Sequence, residues 1–265
     1  MTVVATTTVL EATDRLSHTM SLEEVTSAAS LQTRVDRKYL MPVDVFERLM
    51  ECLGQRMSVL EMEGCRLFPY ESVYFDTPTL ATYRQHAHQR RRRVKVRTRA
   101  YLDSGDCLLE IKAVGAHGET VKSRYPYPIE LRRELDPQAR ALVTGHVGSA
   151  LDAAELAPVI TTAYRRATLV DPAGGSRLTV DVDLEFHGPT GSRSGPPGEV
   201  LVESKAVGAA VTLADRVLHT LGQRPISLSK YCVGMALLDA SLPANNWNRE
   251  LRSHFGWQPA RSSHG

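Results

Sequence analysis

Lysine is scarce in this chain. It occurs six times in 265 residues, at Lys38, Lys95, Lys112, Lys122, Lys205 and Lys230, against 26 arginines. Arginine therefore carries the generic surface charge. The few lysines mark places where a compact, flexible point charge is wanted in place of a planar fork. The four cysteines (Cys52, Cys65, Cys107 and Cys232) show no C-x-x-C spacing, which argues against a zinc site and for a reduced, cytoplasmic setting. No apolar run approaches the roughly 18 residues of a membrane span, and no cationic segment followed by an apolar one opens the chain, so neither spanning nor secretion is expected. There is no Walker-type glycine loop, no Ser-His-Asp set and no internal repeat. A net charge of +2 argues against a general nucleic-acid or membrane coat, so any anion affinity must come from local concentration of charge.

The chain is long enough for one large domain or two small ones with a sizeable core. Residues 1–30, rich in Thr, Ser and Ala, read as a mobile arm or loosely docked helix, residues 31–240 as the folded domain, and residues 241–265 as a tail with room for a short helix around Trp247. Strand patterns dominate between the tails: Arg34–Met41, Leu67–Asp76, Arg91–Leu102, Cys107–Val114, Glu119–Tyr127, Val159–Val170, Arg177–Phe186 and Glu199–Val207. Helices are expected from Asp44 to Leu53, after Thr77-Pro78, and over Asp136–His146, Leu213–Leu221 and Lys230–Ala240. Gly105 and Gly115–Gly118 supply hairpin turns, and Gly188–Gly198 reads as a loop. This is an α+β pattern, mostly antiparallel, with helices outside.

The strands carry an unusual alternation. In Arg93–Arg99 every odd position is a cation, and Val94, Val96 and Thr98 lie between. Glu110 and Lys112 alternate with Leu109 and Ile111; Asp181 and Asp183 alternate with Val180, Val182 and Leu184; Lys122 and Arg124, and Glu203 and Lys205, repeat the two-residue spacing. A one-sided sheet with its charged face in water would give such alternation. Four like charges along one face repel, however, and the pattern recurs in many strands. An eight-stranded antiparallel β-barrel with a polar lumen accounts for both. Opposite unit charges about 4 Å apart gain roughly 4 kcal/mol at an effective dielectric near 20, against about 1 in water. Such a lumen suits a phosphate chain, with Lys95, Lys122 and Arg124 among its cations. The carboxylates among them, Asp36 included, suit a divalent metal, Mg²⁺ or Mn²⁺, that bridges phosphate oxygens.

Arg34–Leu40, Tyr74-Phe75-Asp76-Thr77 with Tyr83, Lys95–Tyr101, Leu109–Lys112, Tyr164-Arg165-Arg166, Arg177–Asp181, Glu203-Ser204-Lys205 and Ser229-Lys230-Tyr231 together resemble the VTC polyphosphate polymerase domain. That domain is part of the triphosphate tunnel metalloenzymes, also called CYTH-like. The ordered series covers roughly residues 31–240. The resemblance implies an eight-stranded tunnel that binds ATP, another nucleoside triphosphate or polyphosphate, and an enzyme that moves the γ-phosphate of ATP onto a growing phosphate chain. By matching position, Lys38, Arg97, Arg99, Lys112, Arg166, Lys205 and Lys230 would contact phosphates. Glu203 would be the leading metal ligand, with Glu110, Asp181 and Asp183 as further candidates for metal binding or for orienting the lysines. Asp36 stands where this branch generally carries glutamate and is one methylene shorter, leaving the metal fewer or shorter-reaching ligands.

Catalysis would rest on Arg97, Arg99 and Arg166 holding the triphosphate while Lys205 and Lys230 neutralise the moving phosphoryl group. The alternatives are a triphosphate hydrolase in the same tunnel and a non-catalytic polyphosphate-binding module. Export of product would need a separate membrane partner. His86 and His88 read as solvated residues of a connecting loop. The Arg90–Arg93 run reads as a rim whose last member starts a strand; it has no aromatic platform for nucleic-acid bases. Tyr39, Tyr101 and Tyr231 read as packing residues whose hydroxyls find partners. Lys230 at a helix start is unusual, because the dipole there disfavours cations.

Overall fold

Alternating apolar residues build the strands, and the apolar side of each strand is the side that helices cover. The structure, a computed structural model, describes residues 2–28, 34–114, 120–148, 151–208 and 210–260. It divides into two units: Met1–Phe68, Tyr164–Leu184 and Gly195–Ser227 form the first, and Pro69–Ala163, Glu185–Ser194 and Leu228–Gly265 the second. The expected Gly115–Gly118 turn and the expected boundary near residue 31 lie outside the described residues.

In the first unit α1 (Thr2–Asp14), β1 (Thr19–Met20) and α2 (Leu22–Ala28) precede β2 (Arg34–Pro42), α3 (Val43–Leu53) and β3 (Ser58–Leu60). The second unit takes up the chain within β4 (Phe68–Asp76) and continues through α4 (Ala81–Ala87), β5 (Arg93–Tyr101), β6 (Asp106–Val114), β7 (Thr120–Pro126) and α5 (Pro137–Val147). The long strands β8 (Ala157–Asp171) and β9 (Ser176–Gly188) each have one part in either unit. After β10 (Gly191–Ser194) come β11 (Glu199–Val207) and α6 (Leu213–Thr220) of the first unit, then α7 (Lys230–Leu238) and α8 (Asn248–Phe255) of the second. Backbone pairing gives the order β2-β11-β9-β8-β4-β5-β6-β7, an α+β arrangement with a large antiparallel sheet. Among the described residues no pairing joins β2 to β7, so the sheet is open in hydrogen-bonding terms.

In the first unit Tyr39 and Met41 of β2, Val180 and Val182 of β9, and Val200 and Val202 of β11 share one core with Val9 of α1, Phe46 and Leu49 of α3 and Leu218 of α6. The opposite sides of the same strands hold Lys38, Thr179, Asp181, Glu203 and Lys205. The second unit repeats this scheme: Val73, Phe75, Val94, Val96, Leu109 and Ile111 pack against Ala139 and Val143 of α5. Asp136 caps α5 by accepting from Ala139 N at 2.7 Å. Gly105 turns β5 into β6 at φ +74°, where a side chain would be strained. Residues 191–194, expected as loop, form β10 because the Gly-Ser-Arg-Ser segment folds back on 185–188.

Candidate functional site

Each unit carries a buried ionic cluster on the strand faces turned away from its apolar core. In the second unit the register sets Arg97 opposite Glu110 and Glu110 opposite Arg124, and two residues along sets Lys95, Lys112 and Lys122 in a row. Glu110 is only 2% exposed, yet Arg97 Nε lies 2.7 Å from its Oε2, Lys122 Nζ 2.7 Å and Arg124 Nε 3.1 Å from its Oε1, and Arg99 Nε 3.9 Å from Oε2. Four cations thus share one carboxylate. Burial alone would raise the Glu110 carboxyl, but Arg97, Arg99 and Lys122 outweigh it and hold the group far below the usual carboxylate range. Burial pushes the Lys122 ammonium down to about 7; Glu110 opposes this, and Arg97 and Arg99 add to it.

A second layer fixes Arg97. Its Nη1 donates to Tyr74 Oη at 2.8 Å, and the Tyr74 ring stacks on Tyr231 with centroids 5.0 Å apart. Tyr231 in turn donates to Asp76 at 2.5 Å; Asp76 is fully buried and accepts from the backbone of Thr77, Thr82 and Tyr83. The expected hydroxyl partner of Tyr231 is therefore Asp76, and that of Tyr39 is Asp215. This holds the first turn of α7 beside β4, with Lys230 as its first residue. Ser229 caps α7 by accepting from Cys232 N, and it also accepts from Lys95 Nζ at 3.0 Å. A Cβ on Gly234 would collide with Phe186 and Ile160, so α7 can sit this close only with glycine there. His86 belongs to α4, not to a loop, because Asp76 starts that helix early enough to run through Ala87. Its Nε2 lies 3.2 Å from Val94 O, and burial, then Lys95, push the ring down to about 3. His88 is exposed.

In the first unit Arg166 grips Asp181 with two prongs, and Lys205 Nζ donates to Glu203 Oε2 at 2.7 Å and to Thr179 Oγ1 at 3.2 Å. Lys38 Nζ lies 3.8 Å from the other Glu203 oxygen, directly across the β2–β11 pairing. Burial would raise Glu203, but Lys205, Lys38 and Arg166 hold it well below the carboxylate range. Burial lowers Lys205 to about 8, against the pull of Glu203. Asp36 stands opposite Lys205 in the register. Asp183 departs from the alternation: at φ +54° its side chain leaves the strand pattern and accepts from Thr6 of α1 at 2.5 Å. Nothing in the sequence signalled that kink.

Among the described residues no three His, Cys, Asp or Glu side chains converge as a protein-built metal cage requires. Glu110 is enclosed by cations, Asp181 is taken by Arg166, and Asp183 is drawn to α1. Glu203 is likewise paired, with Lys205 Nζ at 2.7 Å and Lys38 Nζ at 3.8 Å.

An α+β protein with a large antiparallel sheet and ionic strand faces is the class these observations define. Residues 33–239 match the VTC domain, and the chain belongs to that family. Solved structures resemble it at the level of fold. One is a proposed adenylyl cyclase from Hippeastrum, described as having a dominant triphosphatase activity, at 15% identity, covering 78% of this chain and 99% of that one with a TM-score of 0.50. Another is a proposed adenylate cyclase of Bacillus halodurans, at 14% identity, covering 74% and 94% with a TM-score of 0.47. No curated protein sequence matches closely enough to compare.

Proposed function

We propose that the chain is a phosphoryl transferase of the polyphosphate polymerase type, moving the γ-phosphate of ATP onto the end of a phosphate chain. The observation that supports it most is the four-to-one gathering of Arg97, Arg99, Lys122 and Arg124 on Glu110. A surplus of cations in a shielded place suits an anion with many charges and suits a monovalent one poorly. A terminal phosphate oxygen of the chain would attack the γ-phosphorus, the bond from that phosphorus to the β,γ-bridging oxygen would break, and ADP would leave. Arg97, Arg99 and Arg166 would hold phosphates, with Lys38, Lys95, Lys112, Lys122 and Arg124 as further contacts, while Lys205 and Lys230 neutralise charge that develops during transfer. Mg²⁺ or Mn²⁺ on Glu203 would supply further charge neutralisation when bound. Closure of the strands into a polar-bored barrel, a cytoplasmic setting and a separate membrane partner for export belong to the same reading.

The second reading is a triphosphatase, favoured by the activity described for the Hippeastrum protein of similar fold. Purified protein given ATP and Mn²⁺ separates the two. Long phosphate chains with ADP support the polymerase. Orthophosphate without chains supports the hydrolase, and binding without turnover removes both in favour of a binding module.

A further inference from the structure

An arginine run lies just before β5, beyond the end of the cationic strand. Arg93 opens β5, and Arg90, Arg91 and Arg92 precede it, all three exposed. Among the described residues no carboxylate pairs with any of the three. Their turn is nevertheless built firmly. Gln85 Oε1 accepts from Val94 N at 3.1 Å, Arg93 Nη1 donates to Arg90 O at 3.1 Å, and Gln89, at φ +50°, donates to Asn246 Oδ1 at 2.5 Å. Asn246 Nδ2 closes the arrangement by donating to His86 O and Ala87 O at 3.0 and 2.7 Å. Three uncompensated like charges are thus held together on a fixed turn, at the same end of β5 as the Lys95–Lys112–Lys122 row.

From Arg99 back to Arg93 the strand spans roughly 20 Å at about 3.3 Å per residue, and the turn that carries Arg90, Arg91 and Arg92 lies beyond that end. That exceeds the reach of a triphosphate but suits a polymer with a negative charge on every repeat. We infer that Arg90, Arg91 and Arg92 form a guiding surface for the distal stretch of a long inorganic polyphosphate chain, beyond the residues that hold the reacting phosphates. This rests on the phosphoryl-transfer reading above and adds to it the length of the preferred substrate. Polyphosphate is favoured over RNA because the neighbouring aromatics, Tyr83 and Trp247, are buried and offer bases no stacking surface.

The test replaces all three arginines in the full chain (R90S/R91S/R92S), with the fold checked by circular dichroism. Affinity for long-chain polyphosphate should fall by roughly tenfold or more, and the slope of log affinity against log salt should shrink by about two to three. Tripolyphosphate affinity and ATP turnover should stay within about twofold of the wild type, since a short ligand does not reach the turn. Unchanged long-chain affinity, or an equal loss for both lengths, overturns the inference while leaving the phosphoryl-transfer reading in place. Wild-type protein that binds neither length overturns that reading and this one with it. An RNA oligomer that displaces long-chain polyphosphate from the wild type at lower concentration also overturns it and reassigns the surface.

Discussion

Arg166 and Asp181 meet in a two-pronged ion pair, Nε to Oδ1 at 2.6 Å and Nη2 to Oδ2 at 2.8 Å, with both side chains buried. Removing one partner of such a pair strands the other charge, at a cost of about 3–5 kcal/mol. Asp181→Ala should therefore lower the urea midpoint with an unchanged m-value, with or without divalent metal. A variant whose loss appears only when metal is present would return Asp181 to the role of metal ligand.

Glu110 presents the reverse imbalance, one anion among four cations. Glu110→Gln should destabilise by about 2–3 kcal/mol, less than a fully buried pair because Arg124 is 50% exposed and can rehydrate. Added tripolyphosphate should then raise the melting temperature of the variant more than that of the wild type, since the anion takes over the lost role. The sign with pH follows from the direction of the shift. The folded-state value is depressed, so the stabilisation is complete above the ordinary carboxylate range near 4.5 and fades as pH falls below it. Equal melting shifts from tripolyphosphate in both proteins would count against Glu110 as a counter-ion.

Much of this was legible in the sequence. Arg93–Arg99 alternates so strictly that both the strand and its cationic face follow, and the register then brings Glu110 to Arg97. Glu199–Val207 matches its expected bounds for the same reason. What escaped was set by contacts remote in sequence. The Asp76–Tyr231 bond links residues 155 apart, and only that link explains why Tyr74 can brace Arg97. The left-handed Asp183 breaks an alternation that the residue types alone would continue. His86 was misplaced because a short helix gives too few turns for its periodicity to show.

His86 supplies a separate pH signature. Burial depresses its folded-state value to about 3, so the unfolded chain binds the proton more readily between about 3 and the ordinary 6.5. Stability should therefore drop as pH falls through that window, by up to about 1.4 kcal/mol per unit for one proton. His86→Gln retains an amide able to donate to Val94 O and should flatten this part of the profile. Denaturant unfolding between pH 4 and 7 reads the difference, and parallel profiles for the two proteins would rule the histidine out as the source.

In the proposed reading Lys205 would tie pH to phosphate affinity. Burial lowers its ammonium to about 8, although the Glu203 carboxylate lies beside it. A bound phosphate favours the charged form, so binding above pH 8 takes up a proton at Lys205. Lys122, at about 7, takes up another if the anion reaches it. ATP affinity should then fall by up to about tenfold per pH unit for each proton as pH rises from 8 to 9.5, a range in which the charge of ATP itself is constant. Lys205→Arg keeps its charge throughout and removes one proton from that slope, even though the planar fork fits the Thr179 contact less well and weakens binding at every pH. Calorimetric titration in two buffers of different ionisation heat counts the protons directly. A wild type that takes up none, or an arginine variant that takes up as many as the wild type, would place Lys205 away from the bound phosphates.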